Sequence, residues 1–316
     1  MIAVVLAVLA AVVVAATLRW LPGARWVYRA PRLGIAAWYA VLATAVVAIG
    51  SAVAEALLPF PGSSAGGCTA AIWCTEAMGD GHGPLAWLAA RLLAAATAAA
   101  AGLAVVRGTR SVRAIARSRR QHRDMVWLAG RRIADLNATV IEHPDPAAYV
   151  VSGGACGVVV TSGALDRLGE PELAAVLAHE RAHAAGHHQM LLDVVRVAAF
   201  VLPRARVVAT AGDQIERLVE MRADEVAAQR HPRLDLARAL VAMTAGHAAA
   251  APGGLAAATG GDTVERLHRL MRPPRRLPRA IGAALTAAVV ALPAVPLALA
   301  AACRWWPFLA ACLWGF

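Results

Sequence analysis

Residues 177–189 read LAHERAHAAGHHQ and place four histidines, a glutamate and an arginine at the end of the apolar run PELAAVLA. Within it, His179-Glu180-Arg181-Ala182-His183 is an HExxH motif. Histidines four apart on a helix project from one face and can grip one metal ion. A glutamate next to the first histidine lies beside that ion, where it can take a proton from water and pass it to a leaving amine. HExxH supplies two ligands, and a catalytic site of this kind needs a third. The extended pattern HExxHxxGxxH keeps Gly186 but has Gln189 where the third histidine belongs, so it fails at its ligand. His187 and His188 read as polar helix-end residues. Glu220, in VEMRADEVA, is the better third ligand, with Asp224 one turn later able to accept a hydrogen bond from a ligand imidazole. Glu216 and Glu225 compete for the same roles in other helix registers, and all four acids also read as ordinary solvated charges.

The elements that must position these residues sit in an unusually apolar chain. Its 316 residues are 59% hydrophobic and 16% charged, against about a quarter charged in a soluble domain. Apolar runs at 1–18, 34–58, 85–106 and 280–302 approach the ~20 residues that span a bilayer. The expected class is therefore a mainly α integral membrane protein with four transmembrane helices. The first run has no basic start and no clear small-residue cleavage site, so it reads as a permanent span. Residues 303–316 read as a short interfacial tail. Glu55 and Arg91 are the charges well inside expected spans, and they are expected to approach each other or to reach the same interface.

The net charge of +11 comes from arginine alone. Arg19, Arg25, Arg29 and Arg32 fill the first loop, nine arginines lie between Arg107 and Arg132, and four more precede the last span, while loop 59–84 has none. Arginine-rich flanks stay cytoplasmic, which places the N-terminus and loop 59–84 outside and 107–279 inside the cell membrane. The juxtamembrane position of the arginines favours lipid headgroups as partners over nucleic acid, for which no direct binding is expected. Cys68 and Cys74 share the outside loop, where a disulfide can persist, and no CxxC pair supports a cysteine-based zinc site.

Three regions result: 1–106 with three spans and the outside loop, 107–279 as the cytoplasmic domain, and 280–316 with the fourth span and tail. In the middle region, residues 110–136 look helical and basic. The runs at 138–142, 147–151 and 156–161, separated by HPDP and SGG, predict a small antiparallel sheet. Residues 190–202 are apolar but too short to span, and 248–262 is a linker by composition.

VVVTSGALDRLGEPELAAVLAHERAH followed by ERLVEMRADEVAA resembles the membrane gluzincin peptidases, a group that includes the CAAX prenyl proteases and heat-shock membrane proteases. Its other branch is the BlaR/MecR-type antirepressor peptidases. The resemblance covers about residues 138–276. Three spans before the domain and one after it are similar to the BlaR/MecR branch. The resemblance implies a cytoplasmic α+β gluzincin-type domain with one Zn2+ per chain, held by His179, His183 and Glu220. It implies Glu180 as general base and Asp224 behind the ligands. It also implies that Gly157, Val158, Val159 and Val160 form an edge strand that holds an extended substrate. Gly260 and Gly261 stand where the prenyl-protease branch has a histidine-proline pair, while Glu265-Arg266 is kept. Arg266 is thus the candidate oxyanion donor, against the plainer reading of a helix-surface charge. The β-lactam sensors of the BlaR/MecR branch continue after the fourth span into a penicillin-binding domain, which is not expected here. A signal is therefore expected through loop 59–84 or a partner. The expected role is cleavage of a cytoplasmic regulator, by analogy a BlaI-like winged-helix repressor. The alternatives are a membrane quality-control protease and a catalytically silent signal transducer, which would have no need of Glu180.

Overall fold

The computed structural model of the chain describes residues 2–57, 84–151, 157–248 and 255–302. Loop 59–84 up to its last residue, the pair Cys68 and Cys74, the tail 303–316 and the side chain of Glu55 lie outside the described residues. The chain divides into two compact units. The first comprises 1–24, 36–108 and 278–316, the second 25–35 and 109–277.

The first unit holds α1 (Ile2–Trp20), most of α3 (Pro31–Leu57), the start of α4 (Pro84–Ala129) and α11 (Arg279–Ala291). Three helical stretches among the described residues are long and apolar enough to cross a membrane: Ala3–Trp20, Pro31–Ala54 and Arg279–Ala302. Large apolar side chains such as Val8, Val12, Val46 and Val290 face outward from them, as lipid-facing helices require. The Thr17 and Thr44 hydroxyls donate to the carbonyls of Val13 and Ala40 one turn back, so neither carries an unpaired donor into an apolar setting. The expected span 85–106 is the first part of α4, which runs on without a break through the arginine-rich stretch.

In the second unit α4 stops at Ala129, not at 136 as its composition suggests, because Gly130 ends it. A Cβ there would lie 2.5 Å from the Val126 carbonyl oxygen and 2.4 Å from Thr139 Cγ2. A side chain at this position would push the sheet off the helix. The chain turns into β1 (Arg131–Ile133), then β2 (Ala138–Ile141), β3 (Ala148–Val150) and β4 (Val158–Thr161). The sheet order is β1-β2-β4-β3. β1–β2 and β3–β4 are antiparallel, but β2 and β4 are parallel, with Ala138 opposite Val158 and Val140 opposite Val160. The sheet is mixed, not antiparallel.

This order corrects the assignment of Val158, Val159 and Val160 to an edge strand. β4 is interior, with neighbours on both sides. Its sequence carries the reason: VVVT has no polar alternation, and all four residues are buried. Val158 and Val160 pack with Ala138, Leu168, Val176 and Leu177 on one face, and Val159 meets Val126 and Val151 on the other. A strand covered on both faces reads as a continuous apolar run. Gly157, at φ +55°, is the turn into β4. The edge strands are β1 and β3.

α5 (Ser162–Arg167) follows, capped by the Thr161 hydroxyl, which accepts from the Ala164 N–H. Then come α6 (Glu170–Ala185), α7 (His188–Val201), α8 (Arg206–Ala227), α9 (Arg233–Ala248) and α10 (Leu255–Met271). α7 buries Val195 and exposes Met190, Val194 and Phe200. The expected linker is helical from Leu255 onward, and Asp262 in it binds Arg217 at 2.7 Å.

Candidate metal centre

α6 starts where its sequence says it should. The Glu172 carboxylate accepts from the Gly169 N–H at 3.1 Å, Pro171 occupies the first turn, and two acids face the positive helix end. Its buried side carries Ala175, Val176, His179 and Ala182 against the domain interior. α8 packs against it and buries Leu218, Val219, Met221, Ala223 and Asp224. The site forms where these two helices face each other.

The His179 and His183 Nε2 atoms lie 3.0 Å apart. Glu220 sets Oε2 at 3.4 Å from the first and Oε1 at 3.3 Å from the second. Donors bound tetrahedrally at the ~2.0–2.1 Å of a zinc–nitrogen bond stand about 3.3 Å apart. The three side chains offer ligand atoms all within 4.8 Å of one another, so the residues fit a single cation. Each imidazole is held from behind. Asp224 Oδ1 lies 2.9 Å from His179 Nδ1, and His188 Nδ1 lies 3.1 Å from His183 Nδ1. Fixing Nδ1 aims Nε2 inward. Of the other register candidates, Glu216 is exposed and Glu225 is paired with Arg269 and Arg222.

His188 was read from sequence as a polar helix-end residue, and the structure corrects this. It is buried against His183. The chain breaks at Gly186, turns through His187 at φ +50°, and folds His188 back under α6. A Cβ on Gly186 would fall 2.3 Å from His188 Nε2, so the glycine makes room for that ring. The signal was present as glycine followed by two histidines, but spacing alone does not foretell a left-handed residue.

Arg266 lines the cleft, and it is not the surface charge of the plainer reading, since its side chain is 17% exposed and paired with two carboxylates. Its Nε and one terminal nitrogen donate to the two Asp224 oxygens at 2.8 Å each, and its other nitrogen meets Glu220 Oε2 at 2.8 Å. A planar fork suits two carboxylates in this way.

The protein's own charges set the acids apart. Burial would raise Glu220, but the hydrogen bond with His179 and the Arg266 charge outweigh it and hold its carboxyl down at about 2. Asp224 is held well below the carboxylate range against the same burial, by His179 and Arg266. Burial pulls His179 down, and its hydrogen bonds to Asp224 and Glu220 overcome that and push it up to about 9. His183 falls to about 4, chiefly through burial. Burial raises Glu180 to about 7.

A cleft of about 600 Å³ opens over these groups. Glu180 lines it, as do the edge strand β3 on one side and Val176, Leu240 and Met243 on another. The Gln189 Nε2 group donates to the Val150 carbonyl at 2.7 Å and ties α7 to the same strand. Gln189 thus stands where the extended motif would have a ligand but serves the strand instead.

Residues 115–214 match the family model Peptidase family M48, whose members are zinc-dependent, and the chain thus carries a metallopeptidase domain. The match includes His179, Glu180 and His183 and ends before Glu220. Comparison with curated proteins gives no match, and neither does comparison with solved structures.

Proposed function

We propose that the chain is an integral membrane zinc endopeptidase that cleaves a cytoplasmic regulatory protein, by analogy a BlaI-like repressor. The observation that carries the peptidase reading is the convergence of the His179 and His183 Nε2 atoms and the Glu220 carboxylate beside Glu180. His179, His183 and Glu220 would hold the zinc, which supplies Lewis-acid polarisation of a peptide carbonyl and a more acidic water. Glu180 is the general base. Its carboxyl, raised to about 7 by burial, accepts a proton at neutral pH and can return it to the leaving amine. Asp224 fixes the His179 ring, His188 the His183 ring, and Arg266 the carboxylate of Glu220. The substrate lies extended along β3. In the register Tyr149 to Val159, the Ala148 N–H and C=O and the Val150 N–H turn to the open edge, while the Val150 carbonyl is taken by Gln189.

Membrane anchorage rests on the three apolar helices together with the run 85–106 as a fourth span, and the arginine distribution turns residues 107–279 to the cytoplasm. The match to Peptidase family M48 favours a second reading, a membrane quality-control protease. A proteome comparison of cells carrying wild type and Glu180→Gln separates the two. One product lost with the variant supports the regulator, and many lost supports quality control. Identical proteomes, with zinc-loaded wild type inert toward unfolded protein, would refute both.

A further inference from the structure

The short segment between the first two membrane-crossing helices belongs to the same compact unit as the metal centre. Residues 25–35, with α2 (Arg25–Arg29) and the first turn of α3, fall in that unit. Val27 is fully buried. The Tyr28 hydroxyl donates to Gln214 Oε1 on α8 at 3.0 Å. Gly34 lies so close that a Cβ there would meet Val27 Cγ1 at 2.7 Å, Leu218 Cδ1 at 3.0 Å and the Val27 carbonyl oxygen at 3.1 Å.

α10 ties this segment to the site. Arg266 and Arg269 stand one turn apart on that helix. Arg266 grips Glu220 and Asp224. Arg269 donates through one nitrogen to the Tyr28 carbonyl and through another to Glu225, the residue next to Asp224. Its side chain is 11% exposed, so this pairing lies largely out of water and is screened little. One face of α8 thus has its carboxylates fixed to α10, and α10 in turn is fixed to the main chain of residue 28.

We propose that residues 25–35 are a positioning element of the metal centre, in which Tyr28 and Arg269 set α8 and α10 so that Glu220 reaches the metal. The proposal rests on the reading of Glu220 as a ligand. The segment follows α1, which ends at Trp20, and runs directly into α3, which begins at Pro31.

The test uses the full-length protein in lipid nanodiscs, with zinc affinity measured by chelator competition and thermal melting followed in parallel. Tyr28→Phe removes the bond to Gln214, and Arg269→Gln removes both of its own. Each is expected to weaken zinc binding roughly 2- to 30-fold, the range over which residues one step removed modulate a site. Arg269→Lys should recover part of the loss. Arg276→Gln, outside the network, is expected to bind as wild type does. Leu168→Ala, in the sheet core, sets the scale for a purely structural change. The proposal is overturned if Tyr28→Phe and Arg269→Gln bind zinc like wild type. It is equally overturned if they lose no more affinity than Leu168→Ala does at the same loss of melting temperature. Zinc affinity reads this outcome even when no substrate is cleaved, and Glu220→Ala that keeps its zinc would instead refute the ligand assignment on which the proposal stands.

Discussion

Glu180 on α6 and the pair Glu220 and Asp224 on α8 line the same cleft, and burial acts on all three in the same direction. Their carboxyls nevertheless part by several units. α8 meets α10, whose Arg266 places a fork on both of its acids, and His179 adds hydrogen bonds. Glu180 has no hydrogen bond or ion pair among the described residues; burial raises it, the His179 and Arg266 charges lower it through space and the Glu220 charge raises it, and burial prevails. Burial therefore decides protonation where no cation comes within hydrogen-bonding distance of the carboxylate. Two acids that stay ionised are suited to holding and aiming, and one that titrates near neutrality is suited to moving protons.

Removing the titrating member should have the largest effect. Glu180→Gln is expected to lower peptide cleavage by the reconstituted protein roughly 10²- to 10⁴-fold, the usual share of a general base, with zinc content unchanged. The same substitution tests the raised carboxyl directly in zinc-stripped protein. A group whose folded pKa lies above its unfolded value weakens the fold as pH rises. That loss starts near the ordinary value of 4.5 and is complete above the folded value of about 7. Glu180→Gln should therefore be more stable than wild type at pH 8 and no different at pH 4 by chemical denaturation. Equal stability at both pH values would mean that Glu180 is not a buried, unpaired acid.

Abolishing the cation on the other side should erase the difference between the helices. Arg266→Gln leaves the buried Asp224 and the half-buried Glu220 without their arginine; stranding a buried charge in this way typically costs about 3–5 kcal/mol. It should also shift the acid sensitivity. In wild type the depressed carboxyls contribute stability above about 4.5, which is lost as pH falls toward about 2. In the variant the loss should begin at higher pH. Urea denaturation across pH 3–7 reads both effects. Asp224→Asn is milder, since it keeps a hydrogen bond to His179 but not the charge. It should reduce zinc affinity about 10- to 100-fold, measured by chelator competition.

The two helices also differed in how legible they were. HExxH on α6 is local, so its spacing alone places two imidazoles together and a carboxylate beside them. Glu220 is 37 residues beyond His183 in the chain, and no periodicity relates two helices that cross. It was the preferred third ligand, but Glu216 and Glu225 stayed open as rivals in other helix registers until the resemblance implied it. Arg266 was noticed, as an oxyanion candidate or a surface charge, but its pairing with Glu220 and Asp224 depends on how α10 lies on α8 and was not foreseen. The sheet shows the same limit. The three apolar runs were visible as strands, while their order was not, although the unbroken VVVT was itself a sign of a strand covered on both faces. β1 was hidden because Arg131 and Arg132 look like a continuation of the basic helix.

Gly186 is the mildest way to disturb the α6 side, and two effects oppose each other there. Its backbone lies at φ −82°, ψ −2°, which alanine adopts freely. On those grounds Gly186→Ala would stabilise the fold by about 0.4–1 kcal/mol through the unfolded chain. The added methyl, however, would sit 2.3 Å from His188 Nε2 and 2.5 Å from its Cδ2, so the ring must move away from His183. The displaced contact is a hydrogen bond between two neutral rings, since burial lowers the pKa of both. Such a bond contributes about 1 kcal/mol, or roughly fivefold in zinc affinity, less than the charged Asp224 contact on the other ligand. Gly186→Ala should therefore melt close to wild type while binding zinc about fivefold more weakly. In the double variant with His188→Ala the clash is gone. It should be more stable than His188→Ala alone yet bind zinc no better. If Gly186→Ala binds zinc as wild type does, the His188 ring is not what orients His183, and the two ligand imidazoles are aimed by different means.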